Sequence, residues 1–196
     1  MVGAAPLALG LLLWVWGANA HDGTAAPLPY LPLLNPLEIG QCLALLVLAL
    51  WLRALPQPVR ERVPPAAVLG VLGLSAFAVY TGLVLRLAHH AADVPWDEAS
   101  LFASTLTQAM LSVAWSLVGV GLMLLGHRRV LRTVWIVGAA LLGVVVLKLF
   151  FVELADQGGL YRIVSFIVVG VLLLVVGYFA PVPPRRAAAV DAEVAA

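Results

Sequence analysis

Long apolar runs alternate with short polar gaps along this chain. Residues 2–18, 37–55, 65–88, 101–126, 134–154 and 161–180 are almost free of charge. A helix needs about 20 apolar residues to cross the hydrocarbon core of a bilayer, and these six runs reach or approach that length. With no water in the hydrocarbon, each segment must satisfy its own backbone groups, so runs of this length predict helices. The expected architecture is all-α: a polytopic bundle of six transmembrane helices over residues 1–184, followed by an Ala-rich cytoplasmic tail, 185–196, without fixed structure.

Proline placement agrees with this segmentation. Twelve of the thirteen prolines lie in gaps or at span ends, and Pro6 lies near the start of the first run, where a helix tolerates it. The second span opens on Asn35-Pro36-Leu37-Glu38, which reads as a capping box with Asn35 as N-cap, Pro36 at N1 and Glu38 at N3. Aromatic residues fall where interfacial belts belong: Trp14, Trp16, Tyr30, Trp96 and Tyr161 near one face, Trp51, Trp135 and Tyr178 near the other. Trp115, near mid-span, is expected between helices.

Composition then excludes a water-facing globule. Hydrophobic residues make up 63% and charged residues 11%, against roughly a quarter charged in soluble domains; mean hydropathy is +1.06. The net charge of +1 offers no field for nucleic acid or an acidic partner. The expected partners are the bilayer and other membrane proteins or further copies of the chain. Cys42, the single cysteine, reads as a small apolar filler.

Charge placement sets the expected orientation. Arg53, Arg60 and Arg62 follow span two, Arg128, Arg129 and Arg132 follow span four, and Arg185 and Arg186 follow span six. The alternate gaps carry Asp22, Glu38, Asp93, Asp97, Glu98, Glu153 and Asp156, with Arg86 and Arg162 at their edges. The positive-inside rule places both termini in the cytoplasm. The first span ends in Ala18-Asn19-Ala20, a small-residue pattern that a signal peptidase recognises; cleavage there would leave five spans, and a retained span is the reading adopted.

Polar residues within spans are the candidates for chemistry. Lys148 lies inside span five, where an ionisable group is a functional candidate unless it snorkels to the interface. Glu153 and Arg162 each occupy the end of their helix that the dipole disfavours, which predicts an ion pair across the Gly158-Gly159 turn, with Lys148 able to join it. Lys148, Glu153, Arg162 and Arg86 form the candidate outer polar cluster. Ser104, Gln108, Ser112 and Ser116 recur every four residues in span four and predict a polar stripe on one face, for packing or for a hydrophilic path. Ala139 with Gly143, Gly170 with Gly177, and Gly73, Ser75 and Gly82 suggest close helix contacts. His21, His89, His90 and His127 lack the facing arrangement within spans that haem requires, so no cofactor and no metal site is expected.

Several stretches together carry a family resemblance: Pro27-Leu-Pro-Tyr-Leu-Pro-Leu-Leu-Asn-Pro-Leu-Glu38, Val94-Pro-Trp96, Lys148-Leu-Phe-Phe-Val-Glu153, Arg162-Ile-Val-Ser-Phe-Ile-Val-Val-Gly170 and Gly177-Tyr-Phe-Ala-Pro-Val-Pro-Pro-Arg185. From about Pro27 onward the chain resembles the C-terminal part of bacterial membrane proteins classed as domain of unknown function 2339. Members of that family are usually much longer and usually carry aspartate at the position of Glu153. The resemblance implies a bacterial inner-membrane location and supplies no activity. Three functional readings follow from the residues. The first is a non-enzymatic structural or assembly component of the envelope. The second is a transporter or channel-like bundle built on the outer cluster and the span-four stripe. The third, the weakest, is an enzyme acting on a lipid-linked substrate through His89, His90, Asp97 and Glu98.

Overall fold

A computed structural model describes residues 4–61, 64–150 and 174 of the chain. The described residues form helices and contain no strand; an isolated bridge joins Ala25 and Leu28 in a loop. The helices are α1 (Ala5–Ala18), α2 (Pro36–Arg53), α3 (Gln57–Arg60), α4 (Pro65–Ala92), α5 (Glu98–Ala103), α6 (Thr105–Arg128) and α7 (Arg132–Lys148). Three of them, α2, α4 and α6, are long and apolar enough to cross a membrane, and α1 is a shorter apolar helix. At 14 residues α1 rises about 21 Å, short of a full hydrocarbon core. The end of predicted span five, all of predicted span six but Leu174, the Glu153–Arg162 pair, the Gly170 and Gly177 contacts and the tail lie outside the described residues. The chain divides into two compact units, residues 1–107 and 108–196.

In the first unit α1, α2 and α4 run alternately up and down around a small core of Val15, Ala44 and Val79, with Leu11 and Leu45 against it. The buried positions of α4 include Ser75, Val79, Gly82 and Arg86, spaced 4, 3 and 4 residues apart, which keeps them on one helical face. On α2 the matching face is Glu38, Gln41, Ala44 and Leu48. Burial runs opposite to that of a soluble protein. The largest fully buried side chains include Arg86, Gln41 and Glu38, whereas Leu7 is 76% exposed and Leu69 71%. Apolar surface facing outward and polar groups facing inward suit a chain surrounded by lipid.

Helix ends follow local chemistry. Asn35 caps α2 as expected, its Oδ1 accepting from Leu37 N at 2.9 Å. Glu38 reaches further back than a capping box requires, to Leu33 N at 2.6 Å. Asp93, in a left-handed conformation (φ 51°), closes α4 four residues beyond the expected end. Span four departs from the expected single helix. Asp97 caps α5 through Ser100 N at 2.8 Å, Ser104 adopts an extended backbone (φ −72°, ψ 113°), and its Oγ accepts from Thr107 N at 3.2 Å to start α6. Short polar side chains that bond their own backbone favour such helix starts over helix interiors.

In the second unit the α6–α7 hairpin closes on glycines. A Cβ on Gly138 would lie 2.6 Å from Gly119 O and 2.8 Å from Met123 N, and one on Gly126 would lie 2.5 Å from Trp135 N. Gly143, expected in a close contact, has open space where its Cβ would be, so the tight face of α7 is one residue before Ala139. Gly73 is likewise open, whereas Ser75 is fully buried and accepts from Trp16 Nε1 at 3.1 Å. Gly138→Val must push the two backbones apart. A destabilisation of about 1–3 kcal/mol is expected, with Gly143→Val near neutral, both read from detergent-solubilised thermal melts.

Candidate functional site

The first unit gathers its polar residues at one end, where α1 and α4 stop and α2 starts. The last carbonyls of α1 receive only tight-turn bonds from Asn19, Ala20 and His21, at 3.1–3.2 Å, and can accept further donors. Side chains from the other two helices meet them. Gln41 Nε2 donates to Val15 O at 3.0 Å and to Asn19 Oδ1 at 3.0 Å. Arg86 donates from Nη2 to Ala18 O and from Nε to His21 O, both at 3.0 Å. Asn35 Nδ2 donates to Gly23 O at 2.6 Å, and Trp96 Nε1 to Ala20 O at 2.9 Å. A guanidinium at a helix C-terminus also meets the negative end of the dipole.

Glu38 supplies the counter-charge. Its Oε1 accepts from Tyr30 Oη at 2.6 Å and lies 3.9 Å from Arg86 Nη1. The distances rank the roles of Arg86: its short bonds go to carbonyls, the contact with Gln41 Oε1 is 3.5 Å, and the carboxylate is farther still. Arg86 is first a cap for the α1 terminus and second an ion-pair partner. Burial, followed by the hydrogen bond to Glu38, pushes the Tyr30 phenol well above its ordinary pKa, so Tyr30 stays a donor. Two glycines make room: a Cβ on Gly82 would lie 2.6 Å from Asn19 Oδ1, and one on Gly23, whose φ is +81°, would lie 2.9 Å from Arg86 Cδ.

The histidines frame this end. His90 stacks on Tyr30 with ring centroids 4.1 Å apart, and its Nε2 is 2.9 Å from Asp22 O. His89 Nδ1 is 2.6 Å from Val94 O, and its ring meets Trp96 edge-on at 5.7 Å. A carbonyl only accepts, so these two nitrogens carry the protons. A cleft of about 630 Å³ opens beside the cluster, lined by Trp14, His21, Asp22, Thr24 and Asn35 among others. Asp22 accepts from Thr24 Oγ1 at 2.6 Å and Thr24 N at 3.0 Å, which holds its carboxyl below the ordinary range. That depressed pKa contributes stability above the unfolded value, and the contribution is lost as pH falls through the folded value. Thr24→Val removes the largest cause, and the Asp22 titration should move upward in carboxyl-carbon NMR; an unmoved midpoint would mean that the backbone N–H suffices.

The second unit holds the other polar centre. Lys148 Nζ donates to Gln108 O at 2.9 Å and to Ser112 Oγ at 2.8 Å. Ser112 Oγ donates to Gln108 O at 2.9 Å and Ser116 Oγ to Ser112 O at 2.7 Å. Gln108 and Ser112 are buried, Lys148 and Ser116 half-buried. Of the predicted outer cluster, Arg86 thus falls in the first unit with Glu38 and Gln41, and Lys148 in the second on the polar stripe; Glu153 and Arg162 are not among the described residues. Ser104 of the stripe is the cap of α6. Asp97, a candidate of the enzyme reading, is engaged as the cap of α5. Among the described residues no group of three histidine, cysteine or carboxylate side chains is placed to hold a metal.

Gln41 and Asn19 were not singled out from sequence. The available signal was spacing: Gln41 lies three residues after Glu38, inside an apolar run, hence on the same helical face.

Comparison with curated proteins and with solved structures gave no match. A family model described as "Predicted membrane protein (DUF2339)" matches residues 1–183, extending the resemblance read from Pro27 back across α1. That match spans nearly all of the chain, and with its outward-facing apolar helices the protein belongs to this family of predicted membrane proteins, domain of unknown function 2339.

Proposed function

We propose that this integral membrane protein is a non-enzymatic structural or assembly component of the bacterial inner membrane, with six retained spans and both termini in the cytoplasm. One observation carries the reading. Among the described residues, two polar side chains within the spans are closed upon the protein's own backbone: Arg86 and Gln41 have no exposure and donate to carbonyls at and just beyond the end of α1. Groups committed in this way fix helix ends and helix pairs. A transport path or active site needs polar groups that exchange partners with a solute or substrate. The same bonds support retention of α1, because a cut after Ala20 would detach Val15, Ala18 and Asn19 from their partners. The arginines after α2 and α6 support the orientation.

The transport reading has one observation in its favour, the Lys148 ammonium resting on Gln108 and Ser112 along a polar helical face. Purified chain reconstituted in vesicles separates the two. Proton, sodium and potassium flux at the level of empty vesicles is expected, for the wild type and for Lys148→Met. Flux above that level which Lys148→Met abolishes would replace the scaffold reading by the transport one.

A further inference from the structure

At the opposite end of the first unit, where α2 stops and α4 starts, a second cleft of about 290 Å³ opens between α1, α2 and α4. Its walls are almost entirely apolar, and Ala5, Ala8 and Ala67 leave it open where larger side chains would close it. Water is a poor occupant, since a buried water needs two to four polar partners and this lining is apolar. A transmembrane helix, about 10–12 Å across, is too wide for a space of this volume. A single hydrocarbon chain fits both size and polarity. Arg53, in the last turn of α2, and Arg60, at the end of α3, are exposed at the same end of the unit. Exposed arginines beside a membrane-spanning helix attract acidic lipid headgroups.

We propose that this cleft holds one acyl chain of an anionic phospholipid, whose phosphate pairs with Arg53 and Arg60. The small residues of α1 and α4 select the chain, and the arginines select the charge. The lipid then seals α1, the shortest of the three helices, against α2 and α4.

Native mass spectrometry of the full chain, titrated with dioleoyl-phosphatidylglycerol or dioleoyl-phosphatidylcholine, tests this. One retained phosphatidylglycerol is expected, bound about tenfold more tightly than phosphatidylcholine. Ala67→Phe fills the cleft and should abolish retention. The Arg53→Gln, Arg60→Gln pair should bring the two lipids level. Each variant is scored only at unchanged helical circular dichroism, and Ala8→Leu serves if Ala67→Phe does not fold. Retention that survives filling of the cleft overturns the proposal, as does equal binding of the two lipids by the wild type. A wild type that retains no lipid but dimerises, with Ala67→Phe monomeric, would give the cleft to a second copy and equally overturn it.

Discussion

Arg86→Met is expected to destabilise the first unit by about 3–5 kcal/mol, the range for removing one partner of a buried charged network. The substitution keeps much of the aliphatic volume and removes every donor. His21 O then loses its side-chain donor, Ala18 O keeps only the His21 N–H at 3.2 Å, and Glu38 keeps Tyr30 and Leu33 N but loses its counter-charge. The uncompensated buried carboxylate is the largest cost. Glu38→Gln should cost less, because Arg86 holds its carbonyls at 3.0 Å and the carboxylate only at 3.9 Å. The double variant should be less destabilised than the sum, with coupling of about 0.5–3 kcal/mol. Arg86→Lys should restore part of the stability, since one ammonium cannot span two carbonyls and a carboxylate in the fork geometry of a guanidinium. Denaturation in mixed micelles measures the whole series. Strict additivity would remove the ion pair from this account.

Severing the chain after Ala20 is the second large effect. An inserted protease site between Ala20 and His21, cut in purified protein, should leave α1 associated until the micelle is exchanged. It should lower the melting temperature more than any single substitution at the polar end. The cut separates Val15, Ala18 and Asn19 from the loop that positions them over Gln41 and Arg86. It also removes the covalent link that keeps Val15 in the core. In cells, an amino-terminal tag should remain joined to the membrane-embedded product. Loss of the tag with a stable remainder would mean that the first unit does not need α1.

Much of this architecture was legible in the residue pattern, and the reasons differ by element. Runs of apolar residues found α2 and α4 to within a few residues, because in lipid a long apolar run has one structural solution. The α4 face was readable in part: Ser75 and Gly82 lie on it, whereas Gly73, expected with them, meets open space. The break at Ser104 was not, because a serine that caps and a serine on a polar stripe look alike in sequence. Nor was the destination of Arg86. Dipole arguments pair charges with charges, and here the guanidinium is taken chiefly by uncharged carbonyls that become available where α1 ends. Gly138 was missed for a similar reason: an Ala139–Gly143 spacing is a plausible contact motif, and only the register of α6 against α7 puts the close approach one residue earlier.

The buried polar residues of the described spans, Ser75 and Ser112 among them, should be closed to water-soluble reagents if they pack against the protein itself. In a Cys42→Ala background, Ser75→Cys and Ser112→Cys place a small thiol at two buried positions, and Leu28→Cys places one in an exposed loop. Membranes are treated with a charged methanethiosulfonate applied to each side in turn. Labelling of Leu28→Cys is expected from one side, and none of Ser75→Cys or Ser112→Cys from either. Labelling of Ser75→Cys or Ser112→Cys at the rate of the loop would show a water-filled path through the spans and contradict that packing.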